Sequence, residues 1–189
     1  MKLIDAQLLL EMRADALWTE RAVVKVAAAL QVPAARAGLL GLRLSPHFTL
    51  RELTASATAD ARGLVNMPDA VQLLKLRALC VHILEPLRAQ FGAVRITSGL
   101  RLFTPDSQHG KGEAADFEVP GVANVLVARW IRDYLDFDQL ILEAWNPRDP
   151  NAGWIHCSWR ASGRRGRSGR NGVLRTPTGG PPYTAGLPN

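Results

Sequence analysis

The chain has 189 residues, 47% of them hydrophobic and 21% charged, which is enough for one globular core and too little for two large domains. Two cysteines, Cys80 and Cys157, cannot make a disulfide scaffold, and no apolar run reaches the roughly 18 residues a membrane span needs. The formal net charge of +6 is unevenly placed: six arginines and no acid lie from Arg160 to Arg175, which leaves the remainder near neutral.

Near the amino terminus, Leu8, Leu9 and Leu10 form a short apolar run. Asp5 and Glu11 bracket it and there is no small-residue cleavage site after it, so it does not read as a signal peptide. Apolar residues then recur at helical spacing (Leu9, Met12, Ala16, then Val23, Val24, Ala27 and Leu30), which predicts two helices broken near Trp18 and Thr19. Pro33, Gly38 and Gly41 punctuate the next stretch, so residues 1–44 read as a helical extension ahead of a main domain at 45–189. Thr49-Leu-Arg-Glu52 has the form of a capping box, with Phe48 as its hydrophobic staple. A longer helix is expected over about 68–91, with a stripe of Val71, Leu74, Leu79, Ile83 and Leu87 and a kink or late break at Pro86.

Beyond Gly92 the period changes. Residues 94–97 alternate as a strand, 123–135 are helical, 138–143 alternate again, and 154–159 read as another short strand. Pro147, Pro150 and Gly153 make 144–153 an irregular hairpin loop. Helices first, then strands with one helix between them, is an α+β order with an antiparallel sheet. The Gly-, Pro- and Thr-rich end, 175–189, is expected to add an edge strand or to fray. The basic stretch from Arg160 to Arg175 suits either a solvated loop or contact with a polyanion; its lack of aromatics argues against single-stranded nucleic acid.

Metal-ligand chemistry is concentrated in one place, Ser107-Gln-His109-Gly-Lys-Gly112-Glu-Ala-Ala-Asp116. The glycines between His109 and Asp116 let the chain curl so that both side chains converge. A catalytic zinc needs a third protein ligand, and His156 on the last strand, among small and apolar neighbours, is the best candidate. Two imidazoles and a carboxylate would leave a fourth position open to water. From spacing alone, a surface loop beside a core histidine accounts for the pattern equally well. His47, after a proline, and His82, on the long helix, fit ordinary structural roles.

Ser107-x-His109-x-x-Gly112-x-Ala114-x-Asp116 resembles the SxHxxGxAxD signature of the zinc D-alanyl-D-alanine peptidases, which share their fold with the hedgehog signalling domain. Ile96-Thr-Ser-Gly-Leu-Arg101, Phe137-Asp-Gln-Leu-Ile141 and Trp154-Ile-His-Cys-Ser158 keep the family's order. Phe48-Thr-Leu-Arg-Glu-Leu53, Asn66-Met-Pro68 and Leu84-Glu-Pro-Leu-Arg88 are similar to the branch found in phage and prophage peptidases. The resemblance spans about 48–158 and leaves 1–44 unexplained.

The resemblance implies a hedgehog/D,D-peptidase-like sheet with flanking helices and one zinc ion held by His109, Asp116 and His156. Many members carry an acid three positions before the last zinc histidine, where this chain has Gly153. Glu143 is therefore the expected general base, as in the hedgehog-like branch, with Glu113 and Asp138 in reserve. Arg101 is expected to hold substrate charge, Ser107 to contact substrate or order the ligand loop, and Trp154, which stands where some relatives have a histidine, to contact substrate. Cys157 should point away from the site by strand alternation.

The implied function is a zinc peptidase acting on bacterial peptidoglycan stem peptides near D-alanine, with the L-Ala to D-Glu bond as the alternative. Without an export signal it would be made in the host cytoplasm and reach the wall by holin-type release or as part of a virion. The arginine-rich stretch would then adhere to anionic envelope polymers. A second reading keeps the fold and the zinc as a binding module without catalysis, because Gly153 and Trp154 depart from the family pattern.

Overall fold

The computed structural model describes residues 18–149, 151–160, 170–174 and 183–187. The first of the two expected amino-terminal helices and most of the arginine-rich stretch lie outside the described residues.

Helix α1 (Glu20–Leu30) begins where the break was expected: the Thr19 hydroxyl accepts the Ala22 N–H at 3.3 Å and caps it. It buries Ala22, Val23, Val26, Ala27 and Leu30, whereas Val24, expected on the same stripe, faces solvent. Helix α2 (Pro33–Leu39) opens on its proline, whose missing N–H costs nothing in the first turn. Helix α3 (Leu50–Thr54) carries the expected capping box between Thr49 and Glu52, and α4 (Ala57–Ala61) comes directly after it.

The long helix runs over 70–91 in three parts: α5 (Ala70–Leu79), a π-helical turn (Cys80–Leu84) and α6 (Glu85–Phe91). Asp69 and Gln72 cap its start reciprocally. Pro86 lacks an N–H and its ring crowds the preceding turn. The chain answers by widening, so that the Glu85 N–H reaches back to the Cys80 carbonyl, and the helix continues without a break. The buried stripe is Leu73, Leu76, Leu79, Cys80, Ile83, Leu84 and Leu87; Val71 and Leu74 are exposed, contrary to expectation. The apolar residues of α5 fall on both sides of the helix, so spacing did not single out the inner one.

The remaining elements are β1 (Arg95–Ser98), β2 (Ala114–Glu118), α7 (Asn124–Tyr134), β3 (Gln139–Glu143), β4 (Trp154–Ser158), β5 (Arg170–Leu174) and β6 (Tyr183–Ala185). Strand β2 was not expected: its Ala-Ala-Asp-Phe-Glu run lies inside the ligand motif and lacks an alternating pattern. The sheet order is β1-β2-β4-β3-β5-β6. The first four strands pair antiparallel, as expected, but β5 joins β3 in parallel and β6 returns antiparallel to β5. Strand β4 already has β2 and β3 on either side, so the chain after it cannot pair with β4 and extends the sheet at the free edge of β3 instead.

The pairings Asp116 with His156, Ile141 with His156, and Glu143 with Trp154 put these residues on one face of the sheet. The other face carries Ala115, Phe117, Leu140, Leu142, Ile155 and Cys157 into a core shared with α1, the 70–91 helix and α7. Val23, Val26, Leu30, Leu39, Leu42 and Leu44 belong to that same core. No helix among the described residues is long and apolar enough to cross a membrane.

Candidate active site

His109 sits on the loop between β1 and β2, while Asp116 and His156 are register partners on adjacent strands. The loop is held against the sheet at several points. The Leu100 N–H donates to the Leu53 carbonyl at 2.7 Å, and a Cβ on Gly99 would lie 2.2 Å from that same oxygen, so only glycine permits this approach. Farther along, Gln72 Nε2 donates to the Gly110 carbonyl at 2.8 Å. Ser107 Oγ donates to the Thr104 carbonyl at 2.7 Å and accepts the Gly110 N–H at 3.0 Å, which ties the turn that carries His109.

Three ligand atoms converge. His109 Nε2 lies 3.2 Å from Asp116 Oδ1 and 3.1 Å from His156 Nδ1, and His156 Nδ1 lies 2.9 Å from Asp116 Oδ1. A tetrahedral zinc with bonds of about 2.0–2.1 Å sets its ligand atoms about 3.3 Å apart, so the observed triangle has the right size. The tautomers fit as well. His109 Nδ1–H donates to the Gly99 carbonyl at 2.7 Å, and His156 Nε2–H donates to Gln108 Oε1 at 3.0 Å. Both rings thus turn a lone pair inward toward a carboxylate oxygen, an arrangement that repels itself unless positive charge lies between the three. The buried group His109, Asp116 and His156 can hold a metal ion, and its N, N, O donor set suits zinc.

Burial pushes the Asp116 carboxyl up, but whenever His109 or His156 carries an inward proton its N–H and positive charge outweigh burial and hold the group well below the usual carboxylate range, so that the metal-free triangle takes up a proton where a cation would sit. Burial pushes His156 down, against the pull of Asp116, which favours the neutral, ligating imidazole.

Around this triangle the other expected residues divide. Glu143 is buried on the same sheet face, and no described residue hydrogen-bonds or ion-pairs with its carboxylate. Burial, with the negative charge of Asp116 adding and Arg101 opposing, pushes it up to about 7. The two reserve acids are committed elsewhere: Glu113 pairs with Lys75 Nζ at 2.8 Å, and Asp138 accepts from Gln108 Nε2 and Arg160 Nη2, both at 2.8 Å. Gly153 has φ +76°, and a Cβ there would fall 1.8 Å from the Glu143 carbonyl oxygen, so this backbone excludes an acid at that position.

The Arg101 guanidinium reaches Asp116 Oδ2 at 3.7 Å with Nη2, and its buried Nε has no hydrogen-bond partner among the described residues. Trp154 lies across from Glu143 and lines a cleft of about 660 Å³ with Glu118, Trp145, Asn146 and Pro147. Cys157 faces the core, and burial pushes its thiol well above the ordinary range. Sequence reasoning missed two contacts. Gln108 occupies a variable position of the motif, and its only signal was a polar amide directly before a ligand histidine. The Gly99 carbonyl lies within the 96–101 stretch, where only Arg101 had an expected role.

A family model for Peptidase M15 matches residues 46–158. A search of curated proteins finds no match. The matched stretch takes in the 70–91 helix, the four antiparallel strands and all three converging side chains. By that match the chain belongs to the Peptidase M15 family of zinc metallopeptidases.

Proposed function

We propose that the chain is a zinc-dependent peptidoglycan hydrolase that cleaves a peptide bond next to D-alanine in the stem or cross-link, working as an endolysin or tail lysin of phage or prophage origin. The observation that carries this reading is the convergence of two inward lone pairs and one carboxylate oxygen within 3.2 Å, with the buried, unpartnered Glu143 on the same sheet face. Zinc held by His109, Asp116 and His156 would supply Lewis acidity toward a scissile carbonyl and make water easier to deprotonate. Glu143, on the same sheet face and without a hydrogen-bond partner among the described residues, takes the proton from the attacking water and returns it to the leaving amine. Arg101, whose partly exposed guanidinium lies beside Asp116, pairs with a peptide carboxylate or steadies the developing oxyanion. Trp154 stands on the same sheet face as His156, and its cleft, lined by Glu118, Trp145 and Asn146, offers a mixed polar and aromatic surface to the stem peptide.

Purified sacculi test the proposal. Incubation with the chain should release free amino groups, a chelator should abolish the release, and mass spectrometry of defined muropeptides should locate the new termini beside D-alanine. Zinc uptake without any release from sacculi would leave the binding-module reading in its place.

A further inference from the structure

His156 is held from outside the triangle by a chain of three side chains. Its Nε2 meets Gln108 Oε1 at 3.0 Å, Gln108 Nε2 donates to Asp138 Oδ2 at 2.8 Å, and Arg160 Nη2 donates to Asp138 Oδ1 at 2.8 Å. Asp138 is also fixed through its backbone, since its N–H donates to the Ser158 carbonyl at 2.8 Å. The Gln108 carbonyl in turn accepts the Glu113 N–H at 2.8 Å, which anchors the loop on that side.

A primary amide can turn over without changing its shape, exchanging its oxygen for its NH2 group. Turned over, Gln108 would offer hydrogens to His156 Nε2, leaving that nitrogen to accept and driving the ring proton to Nδ1, toward Asp116. An imidazole in that form has no lone pair for a metal. Asp138 forbids the exchange because a carboxylate only accepts, so the amide nitrogen must face it and the oxygen must face the histidine. We propose that Gln108, clamped by Asp138, is a positioning residue that keeps His156 in the tautomer whose Nδ1 lone pair faces the metal. The proposal rests on His109, Asp116 and His156 forming a metal centre. It assigns work to a position that the signature leaves variable.

Zinc affinity, measured by chelator competition on the full chain, separates the possibilities. Gln108→Met keeps the length and removes both hydrogen bonds; it should bind zinc about 10- to 100-fold more weakly with the metal-free melting temperature little changed. Nitrogen-15 spectra of the metal-free protein should show the Nε2–H tautomer of His156 in the parent and a mixture in this variant. Asp138→Asn frees the amide to turn and should weaken zinc binding in the same direction; it carries the comparison should Gln108→Met fail to fold. The double variant Gln108→Glu/Asp138→Asn restores an acceptor toward the histidine and a donor toward the new carboxylate, and should recover most of the lost affinity. Zinc binding by Gln108→Met within twofold of the parent, or no recovery in the double variant, would overturn the proposal and leave the metal centre standing. Failure of the parent to take up zinc would instead remove the metal centre itself.

Discussion

Glu143 is buried on the site face of the sheet without a partner among the described residues, and burial raises its carboxyl to about 7. Glu143→Gln preserves shape and removes only the proton carrier. The variant should bind metal as the parent does while hydrolysis of sacculi falls roughly 10²- to 10⁴-fold; comparable turnover would remove Glu143 from its role. The raised carboxyl also bears on stability. It holds its proton longer in the folded chain than in the unfolded one, where it titrates near 4.5, so its contribution is full below that pH and lost as pH rises through about 7. In the metal-free protein, the unfolding midpoint should drop across that window by more than in Glu143→Gln. Parallel pH profiles for the two proteins would show that the group does not titrate there.

The elements set the directions in which these side chains point. In the β3–β4 hairpin, Glu143 and Trp154 are the last register pair before the turn, and Gly153 lets the chain enter β4 with its backbone against the Glu143 carbonyl. Asn124, at the start of α7, donates to the Gly153 carbonyl at 3.1 Å and holds the turn to the helix. Gly153→Ala must push the hairpin apart. It should cost roughly 1–3 kcal/mol or more in urea unfolding and suppress hydrolysis with it, and a fully active, equally stable variant would mean that the turn relaxes freely. Much at this scale was legible beforehand. The helix start just after Thr19, the capping box of Thr49 with Glu52, the alternation in β3 and the short strand β4 are local signals, written within a few residues and read correctly from them. Strand β2 was not legible, because Ala114 and Ala115 carry no strand preference and the strand exists through its pairing with β1 and β4. The inner side of α5 was hidden for a similar reason: Val71 and Leu74 match the helical period as well as Leu73 and Leu76, and only packing chooses. At the site, the motif exposed His109 and Asp116, while Gln108 emerged only when the fold brought Asp138 within its reach.

At the scale of the molecule, one core joins parts that the punctuation at Pro33, Gly38 and Gly41 divides in the sequence. Leu30 of α1 is fully buried in the cluster that also holds Leu76, Phe117 and Ile155, the last two adjacent to Asp116 and His156 along their strands. Leu30→Ala should cost about 2–5 kcal/mol. Because the core is shared, metal affinity and the helical signal should be lost in a single transition on heating; two separated transitions would show that α1 folds independently of the site. A second consequence concerns where the chain can be cut. The family match ends at residue 158, yet residues 139–142 of β3 pair with residues 170–173 of β5, beyond that limit. A version trimmed at residue 160 leaves a row of unsatisfied amides and carbonyls along a strand whose inner face is apolar. Such a margin is a template for another chain, so the trimmed protein should sediment as larger species than the full one at equal concentration, and identical profiles would show that the edge does not recruit a partner. The strand that family likeness would discard with the tail is, in this molecule, the cover of the β3 edge.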